Sequence, residues 1–239
     1  MKDARIGIVC GSGVKLEKLL DERADTVHFR EIPELAEVVS MAPEELKGQE
    51  RKFIFGRCGD YEVILQCGRF HFYEGLEKPA VASPMDFMLS SGAGGVVLTC
   101  AAGGLKPGMQ PGDLVAVERV RMWRYSRWDA TPGMAFTDFL APDCDFIGTY
   151  QWMHGPCYET RAEISAIQRI EAEVVGMSCA PELIRCRELG IRCGVVAVVT
   201  NSCCKIEKLS HEKVIAASLL ASSRLAQILR NVPDVVFGV

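Results

Sequence analysis

The chain has 239 residues, 49% hydrophobic and 24% charged, which excludes extensive disorder and supplies material for a large core. Its net charge of −4, with no dense basic cluster, argues against nucleic acid as the main partner, so a bound anion must be held by local geometry. The eleven cysteines are odd in number, irregularly spaced and without a C-x-x-C pair. They read as reduced thiols of a cytoplasmic protein and not as a disulfide or metal framework. The opening "MKDARIGIVCGSG" lacks the pattern of a signal peptide, and no apolar run reaches the roughly eighteen residues needed to span a bilayer, so no membrane partner is expected.

Short apolar runs recur along the chain: "ARIGIVC" (4–10), "KFIFG" (52–56), "YEVILQC" (61–67), "GVVLTC" (95–100), "DLVAV" (113–117) and "CGVVAVVT" (193–200). Several are continuous, the pattern of strands covered on both faces. "RCGDYE" (57–62) predicts a hairpin turn at Gly59-Asp60. The stretch "CGRFHFYEG" (67–75) predicts an extended segment, with Arg69, His71 and Tyr73 on one face and Phe70, Phe72 and Glu74 on the other.

Helical patterns follow at "SPMDFMLSSG" (83–92), at "TRAEISAIQRIEA" (160–172) with a Thr160/Glu163 capping box, and at "SCAPELIRCRELG" (178–190) with Pro181 and Glu182 in its first turn. A long closing helix spans 210–232, with Ser210 as its N-cap. Residues 118–153, with aromatic side chains scattered among turn residues, predict a long loop of little regular structure. Strands alternating with helices, plus a hairpin, predict an α/β fold with a mixed central β-sheet. No linker or repeat divides the chain, so residues 1–239 are expected to form a single domain.

Each chemical motif has two readings. Gly-Ser-Gly (11–13) is either an ordinary tight turn or a concave anion cradle exposing Ser12. It lacks the Gly-Lys-Ser/Thr of a P-loop, and Leu16 stands where a dinucleotide fingerprint needs its third glycine. "TCAAGGL" (99–105) is either a packing constraint or a strand end open to a ligand. Ser178 either caps a helix or uses the helix N-terminus as an anion site. Glu159, in "GPCYET", is either a solvated charge or an acceptor for the N–H of a planar base stacked on Tyr158. "VVTN" (198–201) ends an apolar strand on an amide, where ligands of open α/β sheets gather. His211 is either a ligand contact or a first-turn residue of an exposed helix.

Taken in order, Gly-Ser-Gly, "GRFHFYEG", "AAGG", "GPCYET", "VGMS", "TN" and "SHEKV" resemble the trimeric purine nucleoside phosphorylase family, which includes methylthioadenosine phosphorylases. The resemblance runs from residue 7 to about 215. It implies a mixed sheet flanked by helices, in a homotrimer or a dimer of trimers with active sites near subunit contacts. It also implies phosphorolysis of purine nucleosides to base and ribose 1-phosphate, with inorganic phosphate as co-substrate and no other cofactor or metal.

By the same resemblance Ser12, Arg69, His71, Ala101 and Ser178 surround phosphate. Tyr73 and Met177 touch the ribose, and His211 lies near its 5′ end. Tyr158, Glu159 and Asn201 hold the purine, and Asn201, His71 and Glu159 carry the catalytic work. Asn201 in place of the aspartate of the methylthioadenosine branch implies a preference for 6-oxopurines.

Four departures from the family pattern stand out. Cys100 replaces the usual asparagine, Gln49 replaces a frequent histidine, and both the middle segment and the loop between Asn201 and His211 are short. Trp123, Tyr125, Trp128, Phe136 and Phe139 are the aromatic residues available there to replace the one that in usual members reaches a neighbouring subunit's site. A methylthioadenosine or methylthioinosine phosphorylase, a nucleoside- or phosphate-binding homologue with weak catalysis, and a hydrolytic nucleosidase are the other functions compatible with these residues.

Overall fold

Apolar runs lacking alternation become strands buried on both faces. β1 (Arg5–Cys10), β5 (Ala93–Gly104) and β10 (Arg192–Ser202) are buried along nearly their whole length in the computed structural model, which describes residues 5–42, 50–122, 133–204 and 211–238, His211 by its backbone alone. The remaining strands are β2 (Glu22–His28), β3 (Lys52–Cys58), β4 (Tyr61–Cys67), β6 (Leu114–Met122), β7 (Met134–Phe136), β8 (Phe146–Trp152) and β9 (Val174–Gly176). Gly59, at φ +57°, turns β3 into β4 as a two-residue hairpin with Cys58 opposite Tyr61.

The sheet is mixed. β4, β1, β5 and β10 run parallel to one another, while β2–β3–β4 form an antiparallel meander at one end. At the other end the pairings β5–β10, β10–β6, β6–β8, β8–β9 and β9–β5 close on themselves in a five-stranded circuit. Helices cover both faces. α1 (Pro33–Met41), α2 (Lys78–Ser90) and α4 (Ala180–Glu188) bury Leu35, Val81, Met85 and Leu183 in the larger core. α5 (His211–Phe237) lays Leu225, Ile228, Leu229 and Val232 on the opposite face. Burying each such side chain fully contributes about 1.5–3 kcal/mol. α3 (Arg161–Arg169) starts where the capping box places it, with the Glu163 amide donating to Thr160 Oγ1 at 3.3 Å. Among the described residues no helix is long and apolar enough to cross a membrane.

Two sequence expectations need correction here. The supposed loop over 118–153 carries the second half of β6, β7 and β8. Polar side chains hid these strands because the partners satisfying them lie in other elements: Arg119 Nε donates to Thr149 Oγ1 at 2.7 Å, and the Thr149 amide donates to Glu173 Oε2 at 2.6 Å. β6 also shifts register between Val117 and Arg119, which breaks its alternation. Of the aromatic residues in this segment, Phe139 is buried against Gly194 and Phe136 is exposed, while Trp123, Tyr125 and Trp128 lie outside the described residues, as do Gln49 and Ser210.

The second correction concerns Ser178, which does not cap α4. Cys179 is the residue before the helix, at φ +72°, and the Ala180 amide donates back to the Ser178 carbonyl at 2.9 Å. This three-residue turn is a strained conformation for a side-chain-bearing residue.

Candidate active site

The carboxyl ends of four parallel strands meet at one place, the usual ligand position of an open α/β sheet. After β1 the chain turns through Gly11-Ser12-Gly13. The Gly11 amide donates to Thr99 Oγ1 at 3.0 Å, and the Thr99 hydroxyl donates to the Val9 carbonyl at 2.7 Å, which joins this turn to β5. Gly13 has φ +75°, and a Cβ there would lie 2.7 Å from Ile215 Cα in α5. Only glycine fits, and the Ser12 turn is therefore pressed between β5 and the start of α5.

The segment 67–75 is not the extended strand its alternation predicts. β4 stops at Cys67, Gly68 (φ +88°) turns the chain, and residues Phe72–Glu74 form a single 3-10 turn ended by Gly75 (φ +82°). The two flanking glycines and a reach-back by Glu74 override the period-two pattern. Glu74 Oε1 accepts from the His71 amide at 2.7 Å and lies 3.2 Å from His71 Nδ1. Arg69, His71 and Tyr73 still face one hollow, with the His71 and Tyr73 rings stacked at 4.7 Å.

Arg69 is almost wholly buried. Its Nη2 donates to the Thr99 carbonyl at 2.8 Å, its Nη1 meets Cys179 Sγ at 3.6 Å, and its Nε pairs with Glu182 Oε1 at 3.1 Å. Burial opposes its charge, but Glu182, with help from Cys179 and Cys100, more than compensates and holds the guanidinium protonated. His71 goes the other way. Burial lowers its pKa below the ordinary histidine value, with Glu74 opposing and Arg69 reinforcing that shift, so the ring is neutral near pH 7. A neutral ring whose Nδ1 faces a carboxylate carries its proton on Nδ1 and leaves Nε2 as an acceptor. The Ser178 amide donates to the buried Tyr150 hydroxyl at 3.2 Å, which fixes the turn carrying the Ser178 side chain.

Glu159, also lining the hollow, is half-buried, and its Oε1 has no hydrogen-bond partner among the described residues. Burial raises its pKa above the ordinary carboxylate value, so it sits ready to gain a donor. Tyr158 beside it is exposed. Asn201 is oriented from both sides: Thr200 Oγ1 donates to its Oδ1 at 3.1 Å, and its Nδ2 donates to Cys203 Sγ at 3.5 Å. Burial pushes the Cys203 thiol up to about 12, so it remains neutral.

The hollow encloses about 110 Å³, and Ser12, Arg69, His71, Tyr73, Ala101, Tyr158, Glu159, Met177, Ser178 and Asn201 all line it. The His211 side chain lies outside the described residues, although its backbone opens α5 and Val214, less than one turn later, lines the hollow. The lining offers cationic and hydroxyl donors suited to an oxyanion, together with a carboxylate and an oriented amide suited to a planar heterocycle.

The sequence matches the model of the phosphorylase superfamily over residues 5–232. It is 31% identical to the purine nucleoside phosphorylase of Mycobacterium tuberculosis, covering 82% of this chain and 78% of that protein. The Bos taurus purine nucleoside phosphorylase is 28% identical over 94% of this chain and 86% of its own length. Among solved structures, the Schistosoma purine nucleoside phosphorylase in complex with hypoxanthine superposes with a TM-score of 0.78 at 28% identity, over 97% of this chain and 90% of the other. The chain belongs to the purine nucleoside phosphorylase family.

This member of the purine nucleoside phosphorylase family brings residues to its hollow that motif reading missed. Gly103, Thr200, Cys203 and Val175 also line it. Thr200 had a signal in "VVTN", since a hydroxyl before the amide can orient it; Cys203 had none. Glu182 reads in sequence as an ordinary first-turn acid of α4 but is the buried counter-charge of Arg69. Cys100, at the position where the family usually has asparagine, is fully buried under the Gly11 turn, where a Cβ on Gly11 would lie 2.8 Å from its Cα. It packs the strand crossing and does not line the hollow.

Proposed function

We propose that the enzyme catalyses phosphorolysis of purine nucleosides, with a preference for the 6-oxopurines of inosine and guanosine. The observation that carries this reading is the convergence of Ser12, Arg69, His71, Ala101 and Ser178 on the same hollow that Glu159 and Asn201 line. Inorganic phosphate, the co-substrate, sits among the first group. One of its oxygens bonds to C1′ as the C1′–N9 bond breaks, and the bonding pair of that bond passes into the purine ring. Phosphate stabilises the oxocarbenium-like sugar, and Asn201, donating near N7, stabilises the charge gathering on the base. A preorganised donor of this kind contributes about 2.7–4 kcal/mol.

Glu159 accepts from N1–H, which hypoxanthine and guanine possess and adenine lacks. A site built around that bond rejects bases without it. Tyr73 and Met177 flank the ribose, and Tyr158 covers the base.

The test is base release from inosine, guanosine, adenosine and methylthioadenosine, each with and without phosphate. Rapid phosphate-dependent release from the first two is expected. Methylthioadenosine as the best substrate would move the protein to that branch. Phosphate-independent release would make it a hydrolase, and tight binding with no release would make it a binding homologue.

A further inference from the structure

Arg51 has φ +48°, a left-handed conformation that glycine adopts freely and arginine does not. Its side chain is nonetheless buried, being 2% exposed, and its backbone carbonyl is anchored by the Phe29 amide at 2.9 Å. The guanidinium carbon lies 4.9 Å from the centre of the Phe70 ring, and Nη2 meets Glu74 Oε2 at 2.5 Å. Glu74 is equally buried, and its other oxygen holds the His71 amide and faces His71 Nδ1. Arg51 does not line the hollow.

A chain of three buried groups therefore runs from Arg51 through Glu74 to the ring that does line it. A carboxylate this deep needs a cation, and a neutral histidine cannot supply one. Among the described residues, Arg69 and Glu182 also act on His71 electrostatically, and the Tyr73 ring stacks on it.

We propose that Arg51 is a positioning residue for phosphate: it holds the Glu74 carboxylate turned toward His71, which keeps the ring in its Nδ1–H form and leaves Nε2 to accept a proton-bearing phosphate oxygen. This rests on the phosphorolysis reading for the identity of the anion. The tautomer and charge of His71 do not depend on it.

The experiment compares the native chain with Arg51→Gly, Arg51→Gln and Arg51→Lys. Glycine suits the backbone at this position, so Arg51→Gly removes the guanidinium without adding backbone strain, and Arg51→Gln repeats the charge loss with a side chain present. Imidazole nitrogen spectra across pH, with the His71 signal identified by its loss in His71→Gln, report tautomer and titration midpoint. Calorimetry with inorganic phosphate reports the anion, and steady-state kinetics separate the KM for phosphate from the KM for nucleoside.

Loss of a buried cation lets the Glu74–His71 pair take up a proton at higher pH, so both neutral variants should raise the midpoint by about one pH unit. Phosphate affinity should fall about tenfold, against a change of about twofold or less in nucleoside KM. Arg51→Lys keeps the charge without the planar fork and should restore the midpoint but only part of the affinity. An unchanged tautomer and midpoint in both neutral variants, or equal losses for phosphate and nucleoside, would overturn the proposal. Absence of phosphate-dependent turnover in the native chain would instead remove the functional reading, with the spectra and the phosphate calorimetry still deciding the role of Arg51.

Discussion

Glu182→Gln isolates the charge balance beneath the anion end of the site. Arg69 is 1% exposed and Glu182 2%, and their ion pair spans 3.1 Å. Glutamine preserves volume and an acceptor oxygen but removes the buried counter-charge, while the contacts of the guanidinium with the Thr99 carbonyl and the Cys179 thiol remain. Removing one member of a buried pair costs about 3–5 kcal/mol, because the remaining charge is still desolvated. For a chain of this size each kcal/mol moves Tm by about 2–4 °C, so a fall of about 6–20 °C is expected.

Phosphate should then act as the missing counter-charge. A ligand at a hundredfold excess over its Kd stabilises the folded state by about 2.7 kcal/mol, and a tenfold gain in affinity would add about 1.4 kcal/mol. Thermal unfolding of both proteins, with and without saturating phosphate, reads both effects. The reasoning fails if Glu182→Gln melts within about 2 °C of the native chain, less than the shift expected for 1 kcal/mol, or if phosphate raises both melting temperatures equally.

Other perturbations address the remaining parts of the site. Glu159→Gln should lower kcat/KM for inosine and guanosine by about a hundredfold and leave adenosine nearly unchanged, as steady-state assays would show. Because burial raises the Glu159 pKa above its ordinary value of 4.5, the ionised acceptor is lost as pH falls through that raised value. The inosine profile should therefore have an acid limb above pH 4.5 that Glu159→Gln lacks. Asn201→Asp should tilt the ratio of inosine to adenosine turnover toward adenosine by about tenfold or more, measured by competing the two substrates. Gly13→Ala places a Cβ against Ile215 at a positive φ, and should cost about 1–3 kcal/mol in denaturant unfolding and raise the KM for phosphate through the displaced Ser12 turn.

The long buried strands are legible in the sequence because β1, β5 and β10 each read as uninterrupted apolar runs. β8 is not, because Thr149 and Gln151 are buried polar residues whose partners belong to other elements or to the backbone. Short β9 is invisible for a different reason: three residues carry no periodicity, and its place depends on pairing with β5 and β8. At the site, the motifs name the lining side chains but misjudge the backbone that delivers them. "GRFHFYEG" alternates like a strand, yet its flanking glycines and Glu74 fold it into a turn. The buried pairings behind the hollow, Arg69 with Glu182 and Arg51 with Glu74, escape sequence reading, since a buried ion pair and a surface charge are spelled alike.

The closed circuit of β5, β10, β6, β8 and β9 has a further consequence. With that half of the sheet sealed, the long free margin among the described strands is β2. Its outer residues Glu22, Arg23 and Asp25 stand in solvent with charges of both signs. A foreign strand approaching this border would have to strip water from those groups before forming its first backbone bond, so the architecture discourages fibre-like growth along this open margin.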